Sequence, residues 1–358
     1  MSHSDPELGS DFGGAGRDAL RLLMRDDLEY ARFVAQLRVI ETRLLTRAQL
    51  LRMVEATDAE TAFRQLGDSE YATAMAAAGS VADYEATLAA ELSRVFELLR
   101  TNAPHPELVQ VLGITYDWQN LKTVLKAVLT GKPIEAEQLV KGGNLSVIDL
   151  MAAGEAGGLG TLPHPYREAA IQAAQVYGDT GDPQEIDLLL DARRFSSIIA
   201  KARTWRYELV AEIAAATADL TNLRTVLRLA LLRAGRPLAE RALVPGGGIA
   251  LPRLLAAFAA GLDGMVEALA AAPHADVLAA GLKGYEQTSS LSLMEKLMDD
   301  RILSLARGAR YIALAPDPVI AYFLAKESEI KNLRIIFTGK INRLPENTIR
   351  ERLRETYA

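Results

Sequence analysis

The sequence predicts an all-α protein built from three copies of one helical unit. Three observations carry this. Ala, Leu, Arg and Glu dominate, residues that lose little freedom in a helix, and long stretches place apolar residues at spacings of three and four. Alternating Val/Ile/Thr runs of the kind that form strands are scarce. Finally, one nine-residue pattern occurs three times, about a hundred residues apart.

At 358 residues the chain exceeds what one hydrophobic core usually fills, so more than one folding unit is expected. With 49% hydrophobic and 24% charged residues it has enough apolar surface to fold. A net charge of −6 argues against a protein that neutralises phosphates, so nucleic acid is not an expected partner. The absence of cysteine removes disulfides, thiolate nucleophiles and cysteine-bound metals, which fits an intracellular setting. A spanning helix needs about 20 apolar residues. The longest uncharged runs, such as residues 242–252, fall short and are broken by Gly and Pro, so no transmembrane segment is expected.

Acids precede any apolar stretch at the N-terminus, the wrong order for a secretory signal, and residues 1–20 read as a disordered tail. From Tyr30, the residues Phe33, Leu37, Ile40, Leu44 and Leu45 form one apolar stripe. Thr46 is placed to cap a second helix with Leu50, Leu51 and Val54 facing inward. Gly142-Gly143, the glycines between 154 and 160, Gly246-Gly247-Gly248, Pro273, Pro316 and Pro318 mark connections. Small residues over 256–264 and 268–280 permit close helix approach. The helical units are expected over 21–153, 154–262 and 263–358.

The repeated pattern is Asp117-Trp118-Gln119-Asn120-Leu121-Lys122, then Asp219-Leu220-Thr221-Asn222-Leu223-Arg224, then Glu329-Ile330-Lys331-Asn332-Leu333-Arg334. Its asparagines are separated by 222 − 120 = 102 and 332 − 222 = 110 residues. Downstream, Gly131-Lys132-Pro133 matches Gly235-Arg236-Pro237, and Leu139-Val140 matches Leu243-Val244. Upstream, Leu189, Asp191, Arg193 and Ser196 match Leu297, Asp299, Arg301 and Ser304 at a constant offset of 108.

Read physically, each motif begins a helix: Asp117 and Asp219 sit where a carboxylate accepts first-turn N–H groups, with Ser328 the expected cap in copy three. The helices are expected to end at Gly131, Gly235 and Gly339. Leu121, Val124 and Leu125 share one face with their counterparts in the other copies, and Asn120, Asn222 and Asn332 lie at its edge. There the amides are expected to tie neighbouring loops or helix ends, so that Asn222→Ala costs about 1–3 kcal/mol.

With these residues in view the sequence resembles the C subunit of archaeal and bacterial V-type (A-type) rotary ATPases, counterpart of the d subunit of the eukaryotic V-ATPase. The likeness runs over about 28–358. It rests on Tyr30-Ala31-Arg32 leading to Glu41-Thr42-Arg43-Leu44-Leu45-Thr46, on the three motifs, and on Leu344-Pro345-Glu346-Asn347-Thr348-Ile349-Arg350-Glu351-Arg352-Leu353. The resemblance implies three similar helical domains in a pseudo-threefold, funnel-like arrangement. It also implies a non-catalytic central-stalk socket, at the cytoplasmic face of the membrane, that couples the rotating shaft subunits to the proteolipid ring for ion transport or ATP synthesis. The nine motif residues Asp117, Asn120, Lys122, Asp219, Asn222, Arg224, Glu329, Asn332 and Arg334 are then structural joints. A helical-repeat scaffold holding a peptide or partner helix is the alternative, and a helical enzyme a more distant one.

The chemistry of a catalyst is not legible. Gly131-Lys132 is followed by Pro133 and Gly339-Lys340 by Ile341, so neither forms a phosphate-cradling loop and no nucleotide is expected to bind. Gly157-Gly158-Leu159-Gly160 lacks dinucleotide spacing. His3, His105, His164 and His274 are too scattered for a metal site, and no cofactor is expected. Asp26-Asp27 and Asp299-Asp300 lack the further acid of a prenyl-transfer cluster and read as ion-paired acids beside Arg25 and Arg301. From Lys326 onward eight Lys/Arg face five Asp/Glu, either a solvated helix with charges paired at three and four residues or a surface for lipid headgroups and acidic loops.

Overall fold

The structure, a computed structural model, describes residues 14–155 and 158–357, with side chains from Leu28 onward. Gly157 and residues 1–13 of the expected tail, His3 among them, lie outside what is described, as do the side chains of Arg25, Asp26 and Asp27. Residues 14–20, expected in that tail, belong to the first helix, whose Ala, Leu and Arg favour it.

All regular elements among the described residues are helical. The chain opens with α1 (Gly14–Glu41), the short α2 (Arg47–Glu55), α3 (Ala59–Arg64) and α4 (Ala72–Ala78), then α5 (Tyr84–Asn102) and the long α6 (Pro106–Leu129). It continues through α7 (Val147–Ala153), α8 (Tyr166–Thr180), α9 (Pro183–Thr204) and the long α10 (Glu208–Leu231). Then come α11 (Arg236–Ala242), α12 (Leu251–Ala259), α13 (Gly261–Ala268) and α14 (Ala275–Thr288). Last are α15 (Ser292–Arg307), the long α16 (Asp317–Ile341) and α17 (Glu346–Arg352).

Local chemistry sets many of the boundaries. Thr46 caps α2 in a full capping box, its hydroxyl accepting from the Gln49 N–H while the Gln49 side chain takes the Thr46 N–H. The apolar stripe that begins at Tyr30 outlasts its helix. The helix stops at Glu41, yet Leu44 and Leu45 remain 5% and 4% exposed because the loop carries them into the core. Pro106 and Pro318 sit in the first turns of α6 and α16, where the missing N–H costs nothing.

These starts, with that of α10 at Glu208, correct one expectation. Asp117, Asp219 and Glu329 are interior residues of α6, α10 and α16, and Ser328 caps nothing; its hydroxyl donates to the Glu355 carbonyl. The long helices carry buried residues on most of their circumference, so their beginnings carry little amphipathic signal. The end of α6 falls at the expected Gly131, whereas the ends of α10 and α16 are displaced from Gly235 and Gly339. Eleven residues after each motif Asn the backbone turns left-handed, at Gly131 (φ 68°), Arg233 (φ 52°) and Arg343 (φ 54°). Each turn is closed by a 6→1 bond, Lys132 N–H to Ala127, Ala234 N–H to Leu229 and Leu344 N–H to Gly339. Gly235 instead precedes α11, and Gly339 lies inside α16, where a Cβ would come 2.6 Å from Ile349 of α17.

Each long helix pairs with the helix before it, α5 with α6, α9 with α10 and α15 with α16. Each also packs on the partner in the next pair: α6 on α9, α10 on α15, and α16 back on α5. Close helix approach is seen just beyond the expected 268–280 stretch, for α14 on α15, where a Cβ at Gly281 or Gly284 would come 2.9 Å from Met294 or Leu293. The largest core runs through α1, α5, α6, α8, α9, α15 and α16. Another joins α2–α5 to α16 and α17, so residues 45–88 share a core with residues 330–353 rather than with the first long helix.

Candidate functional site

The nine motif residues make three kinds of joint, each repeated. The asparagines clamp a peptide of the following loop through both amide atoms. Asn120 donates to the Val140 carbonyl (2.9 Å) and accepts from its N–H (2.8 Å). Asn222 does the same to Val244 at 2.9 and 2.8 Å. Asn332 accepts from the Arg354 N–H at 2.8 Å and donates to its carbonyl at 3.4 Å.

The acids hold the N–H groups that precede a short helix. Asp117 accepts from the backbone of Asn144 (2.6 Å) and Leu145 (2.9 Å), just before Ser146 caps α7, and from the Asn144 amide and Tyr166 hydroxyl. Burial pushes the Asp117 carboxyl upward, and these bonds oppose the shift. Asp219 accepts from Gly248 and Ile249, both at 2.8 Å, ahead of α12. The glycine pairs permit this approach, because a Cβ at Gly143 or Gly247 would collide with Oδ1 of Asp117 or Asp219.

Glu329 breaks the chain order. It accepts from the N–H of Leu45 at 2.5 Å, immediately before Thr46 caps α2, a residue 284 positions earlier. Its other oxygen receives the Tyr71 hydroxyl and the ammonium of Lys326. Lys326 is 1% exposed, bridges to Glu91 as well, and is held well above the usual lysine range by the two carboxylates despite its burial. Matched core residues follow the matched bonds. Val124, Leu139 and Leu150 pack together, as do Val226, Leu243 and Leu254, and so do Ile336, Leu353 and Leu50.

The bases reach to the neighbouring pair of helices. Lys122 of α6 meets Asp191 (2.8 Å) and Asp187 (3.6 Å) of α9, and Arg224 of α10 meets Glu295 of α15 at 3.8 Å. Arg334 of α16 meets Glu85 of α5 at 2.8 Å. Asp187 and Glu295 are related by the 108-residue offset already visible upstream of the motif.

Lys326 pairs with Glu329 three residues on, but other C-terminal basic residues are committed to partners distant in sequence. Lys331 and Arg354 share Asp299, Arg350 meets Glu55, and Lys340 donates to the Ala56 carbonyl. Asp300 bonds Lys296 and the Glu355 N–H, and Arg301 pairs with Asp276. The Asp299-Asp300 pair therefore works as ion-paired acids.

Between the long helices lies a chamber of about 250 Å³, lined from α6, α9, α10, α15 and α16. Its lining repeats with the motif spacing. Val111, Ile213 and Phe323 form one layer, Leu112, Ala214 and Leu324 the next, and Thr115, Thr217 and Glu327 a third. Burial raises the Glu327 carboxyl above the usual range, and the Tyr116 hydroxyl donates to it. Glu327, Arg194, Lys326, Tyr166 and Asn144 escape a reading of the sequence alone. The first three carry a detectable signal, since extending the motif register places each opposite uncharged counterparts in the other copies.

A helical protein whose repeated polar residues are consumed in clamps, caps and ion pairs, and whose matched surfaces line a largely apolar chamber, has the build of an assembly component. Comparison with known proteins agrees. Residues 33–352 match the model of the ATP synthase (C/AC39) subunit family. The C subunit of the V-type sodium ATPase of Enterococcus hirae is 27% identical over 275 residues, covering 77% of this chain and 83% of that protein. The C subunit of the A-type ATP synthase of Haloquadratum walsbyi is 26% identical over 98% of this chain and 99% of its own length. That of Methanocaldococcus jannaschii is 25% identical over 90% and 86%. The chain belongs to the C/AC39 family, the C subunits of V- and A-type ATP synthases, and is a non-catalytic subunit of the rotary complex.

Proposed function

We propose that the chain is the socket of the central stalk, a pseudo-threefold funnel of three helical units that receives the foot of the rotating shaft and rests on the membrane proteolipid ring. In this role it passes torque between ATP chemistry and ion movement, and its residues bind and transmit without reacting. The nine motif residues are its structural joints. We place the third unit's boundary across the chain ends, with α2–α4 completing α15–α17.

The observation that carries this reading is the chamber whose layers come from equivalent positions of α6, α10 and α16. A scaffold folded only for its own stability would fill such a space to native density. The cyclic packing of α6 on α9, α10 on α15 and α16 on α5 supports an axis through that chamber. No helix among the described residues is long and apolar enough to cross a membrane, which suits a peripheral position at the cytoplasmic face.

The test is removal of this subunit from the assembled complex. The expected result is loss of the link between ATP hydrolysis and ion transport, together with loss of the shaft from the membrane fraction. Coupling that persists without the subunit overturns the proposal.

A further inference from the structure

The chamber's charged lining is nearly balanced, and the imbalance is one residue. Asp299 is shared by Lys331 (2.7 Å) and Arg354 (2.8 Å), which hold its carboxyl below the usual range although burial alone would raise it. Glu327 takes the Tyr116 hydroxyl, and its burial favours the neutral acid. Arg194 of α9 remains. Its Nε is buried without a hydrogen-bond partner among the described residues, and its guanidinium lies 4.6 Å from the centroid of its neighbour Phe195. The nearest acid of its own helix, Asp191, is already bonded to Lys122 at 2.8 Å.

Comparison between copies makes Arg194 an exception. It lies 102 residues after Leu92 and 108 before Ile302, the offsets that relate α5, α9 and α15. Packing at this position is therefore served by a leucine and an isoleucine in the other two copies. A half-buried guanidinium whose Nε has no acceptor carries a desolvation cost, and an aliphatic residue there would relieve it. Its presence in one copy only, at the wall of the chamber, marks a binding role.

We propose that Arg194 is the residue that recognises the inserted shaft, by pairing with a carboxylate carried at the tip of the shaft helix. The inference rests on the socket reading and adds the chemistry of the partner. A chamber of about 250 Å³ is smaller than most small-molecule pockets, which start at roughly 300 Å³, and admits a helix tip rather than a helix body. The apolar walls, including Val210, Ile302 and Phe323, receive the aliphatic part of that tip. The guanidinium, planar and permanently charged, then receives the carboxylate through two parallel N–H donors. A basic tip is disfavoured there, because both acids of the lining are already satisfied.

The experiment measures binding of the full-length chain to the purified shaft subunits of the same complex, at low and high salt. Arg194→Leu and Arg194→Gln are compared with Ala214→Trp, which fills the chamber. Melting curves accompany each variant. We expect both Arg194 variants to fold with unchanged or raised melting temperature, to bind at least 10-fold more weakly, and to lose the salt dependence shown by the native chain. Ala214→Trp is expected to weaken binding at either salt concentration. Weakening by Ala214→Trp with native affinity in both Arg194 variants overturns the role of Arg194 and leaves the socket standing. Native affinity in all three overturns the socket itself. Failure of both Arg194 variants to fold would show that the guanidinium serves the scaffold, and that also overturns the proposal.

Discussion

Asn222→Ala is the sharpest perturbation of the repeated joint. Asn222 is 0% exposed, and the peptide it clamps belongs to Val244, which is 3% exposed. Removing the amide leaves the Val244 N–H and carbonyl without partners where water does not reach. Each lost hydrogen bond is worth about 1 kcal/mol net, and each stranded polar group adds to the cost, for a total of about 2–4 kcal/mol. Asn120→Ala and Asn332→Ala should cost less, about 1–2 kcal/mol, because Val140 and Arg354 are only partly buried and the second bond of Asn332 is stretched to 3.4 Å. Asn222→Asp keeps the acceptor for the Val244 N–H but turns a carboxylate oxygen toward the Val244 carbonyl, so it should be at least as damaging. Urea unfolding followed by helical circular dichroism measures the series. An Asn222→Ala transition within about 0.5 kcal/mol of native, or a reversed ranking, would refute the clamp as an energetic joint.

Other consequences follow from the same geometry. Arg233→Gly should stabilise the protein by about 0.5–1 kcal/mol, since an exposed residue with positive φ is relieved, while Gly131→Ala should destabilise it; paired melting curves decide the sign. Lys326→Met should cost about 3–5 kcal/mol by leaving the buried carboxylate of Glu329 without a cation, while Glu91 keeps Arg94, and an unchanged denaturation midpoint would contradict the bonding of that cluster. Glu327 binds its proton more tightly folded than unfolded, so its contribution to stability falls as pH rises from the ordinary glutamate range through its raised value. Glu327→Gln should therefore gain stability over the native chain at neutral pH and little at pH 4, and a pH-independent difference would refute this assignment.

The helical class and the three motifs are legible in the sequence because both are local: spacings of three and four, and a run of residues recurring at near-constant offsets. The role of the motif acids is not local. Asp117 reads as a helix start only while the helix that begins at Pro106 is unseen, and its carboxylate serves a loop 27 and 28 residues further on. The left-handed turn after α10 is expected at Gly235 because glycine is the usual occupant, whereas Arg233 holds the position fixed by distance from Asn222. The bond from Leu45 to Glu329 joins segments that share only a leucine and a hydroxyl residue with Leu145-Ser146, too short a likeness to find without the fold. The chamber needs all the long helices at once, so no single stretch announces it.

That bond has a mechanical meaning. Chain ends ordinarily fray, since nothing lies beyond them to resist. Here α2 is seated on α16 and α17, so neither α2 nor α17 can peel away without dismantling the core that Leu50 and Leu353 share. A twisting load reaching α16 is delivered into the first fifty-odd residues through buried side chains as well as along the peptide backbone. These two segments therefore yield together or hold together, as a strap does once its buckle is fastened.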